Sequence, residues 1–337
     1  MKKTWVWYMA LMAVLTACNG RQIHVNPSGP VGPAATNTPT PTTTAIDTSA
    51  STATPTATAI PTATLPDFNL SGAVTTLNTG TYNFNCVHLA AGAVVTINGG
   101  VTIFCQCFTL DAGATITGLG MGYISSTLCG GSGKAGPGQG LTQVYYDCQI
   151  FLAAGGGHGG LGSDDCITCP VSGLTDCVSG GTVMDDPIHP YLWGGSGGNR
   201  ACNPASPVWF KSAGGGLLKL VVLDSTSNNL SPATINGMID MTGSYGYGTA
   251  SDHKGGGAGG TILVEASHLL GNGYLWAKGG GVGIGAGLGG GGIISLIAET
   301  GSFAGNVSVA GGVLPYYPGT LGNPGILSIT PPPTIGY

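Results

Sequence analysis

The stretch Cys86-Val87-His88-Leu89-Ala90-Ala91-Gly92-Ala93 returns as Cys107-Phe108-Thr109-Leu110-Asp111-Ala112-Gly113-Ala114, with Cys, Leu, Ala, Gly and Ala recurring at an offset of 21. A unit this short cannot enclose a core of its own, so it must bury its apolar face against further copies of itself. Each copy continues into a β-branched stretch, Val94-Val95-Thr96-Ile97 or Thr115-Ile116-Thr117, after which Asn98-Gly99 or Gly118 supplies a turn. Strand, turn and strand at this period predict a parallel β-solenoid.

The C-terminal half repeats a longer unit, in which a glycine cluster enters an apolar strand and a second strand follows after a turn. Gly214-Gly215-Gly216-Leu217-Leu218-Lys219-Leu220-Val221-Val222 leads to Ile235-Asn236-Gly237-Met238-Ile239-Asp240-Met241. Gly259-Gly260-Thr261-Ile262-Leu263-Val264-Glu265 leads to Gly273-Tyr274-Leu275-Trp276-Ala277-Lys278-Gly279, and Gly291-Gly292-Ile293-Ile294-Ser295-Leu296-Ile297 to Asn306-Val307-Ser308-Val309-Ala310-Gly311. With 63 glycines in 337 residues and only 7% charged residues, the composition is far from an average domain, where glycine is about 7% and charge about 25%. The missing Gly-X-Y triplet excludes collagen, and the interleaved Val, Ile and Leu argue against a disordered chain. The glycine clusters are expected as tight corners or protruding loops between strands.

In its middle the chain carries Gly155-Gly156-Gly157-His158-Gly159-Gly160, then Asp185-Asp186-Pro187-Ile188-His189-Pro190-Tyr191-Leu192-Trp193-Gly194-Gly195-Ser196-Gly197-Gly198, then Gly255-Gly256-Gly257-Ala258-Gly259-Gly260-Thr261-Ile262-Leu263. This succession resembles the glycine-rich, right-handed parallel β-helix surface proteins of bacteria, of the pectin-lyase-like superfamily, over roughly residues 150–312. The resemblance implies an all-β solenoid with glycine-rich loops and a surface location, more than it implies a reaction.

Lys2 and Lys3 precede an apolar stretch, Trp5 to Thr16, that is too short for a permanent span, and Leu15-Thr16-Ala17-Cys18 follows. The quartet resembles the bacterial lipobox, which implies acylation of Cys18 and makes residues 1–17 a lipoprotein signal peptide. Residues 18–66 read as the lipidated N-terminus and a disordered Thr/Pro-rich linker, since repeats such as Thr38-Pro39-Thr40-Pro41 lack the large side chains a core requires. Residues 67–337 form the β-helix domain. The expected localisation is extracytoplasmic, tethered to a bacterial membrane by the lipid and exposed at the surface. Removal of the signal leaves twice as many acidic as basic residues, so no basic patch is available and nucleic acid is excluded as a partner.

Nine cysteines follow the anchor: Cys86, Cys105, Cys107, Cys129, Cys148, Cys166, Cys169, Cys177 and Cys202. In an exported chain they are disulfide candidates, and an odd count leaves at least one unpaired. The equivalence of Cys86 and Cys107 in neighbouring coils predicts a bridge, since strands about 4.8 Å apart lie within disulfide reach. Cys166-Ile167-Thr168-Cys169 has the C-x-x-C spacing of a metal knuckle, but no second pair accompanies it.

The candidate ligand or Ca²⁺ residues are His158, Asp185, Asp186, His189 and Trp193, where carboxylates would suit a hard cation and an aromatic ring would stack on a sugar. The residues call for no resident cofactor or metal other than this Ca²⁺ option, and no catalytic residue is assigned. After Cys18 only Arg21 and Arg200 could serve as an arginine base, and the acidic pairs Asp164-Asp165 and Asp185-Asp186 lack the setting of a lyase motif. The sequence therefore reads as a non-catalytic structural or adhesive surface protein, with cell-surface polysaccharide or self-association as its partners. The alternatives are a carbohydrate-active β-helix enzyme, a polysaccharide lyase or hydrolase, and a subunit of an extracellular filament or layer.

Overall fold

Alternating burial along Val94–Cys105, with Val95, Ile97, Val101, Ile103 and Cys105 facing inward, shows how the strands are used: one row of side chains packs and the other meets solvent. The computed structural model describes residues 65–124, 136–145, 150–168, 175–198, 212–224, 229–246, 254–282, 286–314 and 317–330. Among them there is no helix, and fourteen strands join one strongly curled sheet whose pairings are all parallel.

The chain visits three ladders in turn. The first stacks Phe68–Leu70, Cys86–Leu89, Cys107–Leu110 and Ala233–Ile235. The second stacks the first halves of Val74–Asn83 and Val94–Cys105, then Thr115–Thr117, Met238–Asp240, Tyr274–Trp276 and Asn306–Ser308. The third stacks the second halves of those two long strands, then Leu217–Val222, the start of Thr261–Leu270, Ile293–Gly301 and Ile326–Thr330. This is a β-helix-like arrangement, and both repeats seen in the sequence fall in register: Cys86 opposite Cys107, and Leu217, Thr261 and Ile293 on successive rungs. Inside it, Ile116, Ile239 and Leu275 stack, as do Ile103, Leu220 and Val264, all essentially buried. Each such side chain contributes about 1.5–3 kcal/mol through burial.

Asn98-Gly99 is a bend and not the strand-ending turn expected from sequence. Val94–Cys105 runs unbroken through it, with Gly99 at φ +88° redirecting the strand from the second ladder to the third.

The glycine clusters among the described residues take up corners, one of the two placements expected, and there they pack into a buried bundle. They lie at one kind of corner, between the second and third ladders, in the described parts of the segments 118–216, 241–260, 277–292 and 309–325. There they bury one another. Gly255 and Ala258 donate to the carbonyls of Gly198 and Gly195, Gly256 and Gly259 to those of Gly287 and Gly290, and Gly257 and Gly260 to those of Ser244 and Met241. Residues three apart thus share one neighbouring segment, while three successive residues address three different ones. The carbonyls of Gly256, Gly257 and Ala258 in turn accept from Gly156, Gly280 and Gly215. A β-strand bonds to two neighbours; a polyproline-II-like chain, with three residues per turn and no internal hydrogen bonds, can bond in every direction. What demands glycine here is space, because a Cβ on Gly257 would fall on the carbonyl of Ala213 and one on Gly260 on that of Gly216.

Two disulfides lie among the described residues. Cys86 and Cys107, 4.7 Å apart at Cα, clip adjacent rungs of the first ladder, and Cys166 and Cys177 clip the antiparallel hairpin Asp165–Thr168 with Thr175–Val178. Cys105, a disulfide candidate by sequence, is a free thiol: alternation turns it into the core while Cys107 faces out, and burial pushes it up to about 12. The pairing of Cys166 removes it from the C-x-x-C metal option. Cys18, Cys129, Cys148, Cys169 and Cys202, with the signal peptide and linker up to residue 64, lie outside the described residues.

Candidate functional site

In the first two coils the corner between the second and third ladders is short, passing through Asn78-Thr79 and Asn98-Gly99. From the third coil on it opens into the long glycine excursions. The step between short and long corners leaves an open groove of about 360 Å³. Its floor comes from the short corners, Asn78, Thr79, Asn98 and Gly99, and its wall from the first excursion, Gly120, Met121, Gly122, Ile124 and Trp193.

The floor is ordered by rung-to-rung bonds. Asn98 Nδ2 donates to Asn78 Oδ1 at 3.0 Å, and Thr79 Oγ1 donates to the Asn98 carbonyl at 3.1 Å. The two amides thus form a short ladder across the floor of the groove. Trp193 stacks on Tyr123 with centroids 5.1 Å apart, and its Nε1 edge comes so close to Gly100 that a Cβ there would collide with it. Burial, with Asp185 and Tyr191 adding to it, pushes the Tyr123 phenol above its ordinary range.

Trp193 is held in place by a node that the sequence flagged for another purpose. His158 is fully buried in the glycine bundle, with Nδ1 2.9 Å from the Gly259 carbonyl and Nε2 3.3 Å from Asp185 Oδ2. Both ring nitrogens thus have a partner inside the bundle, a backbone carbonyl on one side and a carboxylate on the other. The Asp185 side chain is equally buried and accepts from the amides of Asp186, Tyr191 and Leu192. Burial alone would raise its carboxyl, but the bonds from His158, Leu192, Tyr191 and Asp186 outweigh that and hold it below the ordinary carboxylate value. Asp185 is also the one non-glycine residue with positive φ among those described, at 92°. A strained residue kept by this many bonds fixes the path of the chain that delivers Trp193.

The five ligand candidates therefore separate. His158 and Asp185 meet in the buried node, and Trp193 lines the groove. Asp186 and His189 are exposed, and Asp186 Oδ1 accepts from the Ile188 amide. Among the described residues no three His, Cys, Asp or Glu side chains converge as a metal site. Thr261, His158 and Asp185 resemble a nucleophile relay only in composition. Asp185 and Thr261 both sit on Nε2, Nδ1 is taken by a backbone carbonyl, and Thr261 donates its proton to the Leu192 carbonyl at 2.8 Å. Sequence reasoning missed Asn78, Thr79 and Asn98. The two asparagines sit at equivalent places in successive coils, but nothing in sequence shows that Trp193 comes to rest beside them.

No family model, curated protein or solved structure matches the chain significantly.

Proposed function

We propose that this chain is a lipid-anchored surface protein of bacteria, a right-handed parallel β-helix related to the pectin-lyase-like proteins, with a structural and adhesive role. The observation that supports this best is how its polar groups are used. The glycine amides, His158 and Asp185 are spent on fixing the protein's own shape, and the groove beside Trp193 is framed by neutral side chains suited to holding a ligand. Acyl chains on Cys18 would supply the membrane affinity, and the Thr/Pro-rich linker would hold the solenoid away from the lipid.

The test compares bacteria displaying the wild-type chain with bacteria producing Cys18→Ser. Wild-type protein is expected to be digested on intact cells by added protease and to retain the cells on immobilised polysaccharide. The Cys18→Ser protein is expected to leave the detergent phase and to abolish retention. Equal retention of the two strains, or protection of the wild-type protein from protease, would overturn the proposal.

A further inference from the structure

We infer that the groove between the short corners and the first glycine excursion is a binding site for neutral polysaccharide, with Trp193 as its stacking wall and Asn78 and Asn98 as its hydroxyl readers. The inference rests on the adhesive reading and specifies the ligand class. Its first support is chemical match. The stacked amides of Asn78 and Asn98 put hydrogen-bonding groups on adjacent rungs of the groove floor, and an amide, which both donates and accepts, matches a sugar hydroxyl, which does the same. The indole of Trp193 and the side chain of Met121 supply the apolar surface against which the C–H face of a sugar ring packs.

The second support is charge. None of the nine lining residues is ionisable, so a uronate or sulfate group entering the groove would lose water without gaining a cation. The chain's net charge of −5 adds general repulsion of polyanions. Neutral hexose chains are thereby favoured over the acidic polymers that β-helix lyases cleave.

The third support is preorganisation. Trp193 follows directly on Tyr191 and Leu192, whose amides are held by the strained, buried Asp185. Its pyrrole edge rests on Gly100, where any side chain would displace it, and its benzo edge lies close to Gly99. A second surface indole, Trp276, is differently committed: Lys278 Nζ sits 3.4 Å from its ring centroid and its Nε1 donates to Asn306. An aromatic ring positioned by buried machinery at the rim of an open groove is spared the ordering cost of binding.

The test uses the full-length chain in detergent, titrated calorimetrically with a soluble neutral glucan and, separately, with polygalacturonate. Wild type is expected to bind the glucan and to leave polygalacturonate unbound. Trp193→Ala is expected to weaken glucan binding at least tenfold. Gly100→Ala, which keeps the indole but pushes it from its seat, is expected to weaken binding by a similar factor, with circular dichroism unchanged in both variants. Unaltered glucan affinity in Trp193→Ala, no glucan binding by wild type, or tighter binding of polygalacturonate would each overturn the inference. Retention of displaying cells on polysaccharide, if it survived Trp193→Ala, would refute this groove as the contact while leaving the adhesive reading intact.

Discussion

In the strand ladders, Ile116, Ile239 and Leu275 exclude water by stacking side chain on side chain; in the adjoining bundle, Gly257 excludes it by having no side chain at all. Both interiors are dry, yet they are stabilised differently. The ladders gain from apolar area and tolerate small changes of shape, because a side chain can shift its rotamer. The bundle buries little apolar area, and its order comes from backbone hydrogen bonds running to several neighbours at once. Its segments approach until amide meets carbonyl, so the only adjustable part is the backbone, and moving that breaks the bonds that define the packing. The contrast predicts that one added carbon in the bundle costs more than one removed from the ladders.

The largest effect is expected for Gly257→Ala. The new methyl falls on the Ala213 carbonyl, and relieving it endangers the bonds from Gly257 to Ser244 and from Gly280 to Gly257. Overpacking together with unsatisfied buried amides should cost about 4 kcal/mol or more. Chemical denaturation followed by tryptophan fluorescence measures this. A loss below about 1 kcal/mol would mean that the bundle yields as a side-chain core does.

How far each region is legible in the sequence follows from the same contrast. The ladders announce themselves because Val95, Ile97, Val101 and Ile103 alternate with outward residues, and because Cys86 and Cys107 mark equivalent rungs. The bundle has no such mark. Its three-residue rhythm is carried by amides and carbonyls, which every residue possesses, so Gly255 to Gly260 reads from sequence only as a corner or a protruding loop. The groove falls between the two cases. The sequence marks Asn98-Gly99 and Gly118 as turns and offers Trp193 as a stacking residue, but the seating of Trp193 on Gly99 and Gly100 depends on how the segment after Gly118 folds back.

An intermediate effect is expected for Asp185→Asn, where the bundle meets the segment carrying Trp193. The change replaces a carboxylate that bonds His158 and the amides of Asp186, Tyr191 and Leu192 with a neutral amide, and should cost about 3 kcal/mol near neutral pH, the upper range for a hydrogen bond to a charged group. Its pH dependence has a definite sign. The Asp185 carboxyl is held below its ordinary value in the folded protein, so its contribution is present above the unfolded value of about 3.9 and fades as the pH falls through the depressed native one. Unfolding midpoints of the two proteins should therefore differ most near neutrality and converge in strong acid. A gap that widened on acidification would contradict the ionised carboxylate in the node.

The smallest effect is expected for Ile239→Val, which removes one methylene from the centre of the second ladder, where Ile239 lies between Ile116 and Leu275. Such truncations typically cost about 0.5–1.5 kcal/mol. Ile239 is as fully buried as Gly257, so exposure cannot separate the two sites. What separates them is the neighbour: a side chain with rotamers to spare in one case, a carbonyl already bonded in the other. Measured beside Gly257→Ala under the same conditions, Ile239→Val should be the milder by about 3 kcal/mol, the difference between the expected costs. Equal costs would show that the bundle and the ladders relax alike, and the need for glycine at position 257 would then require another cause than close approach.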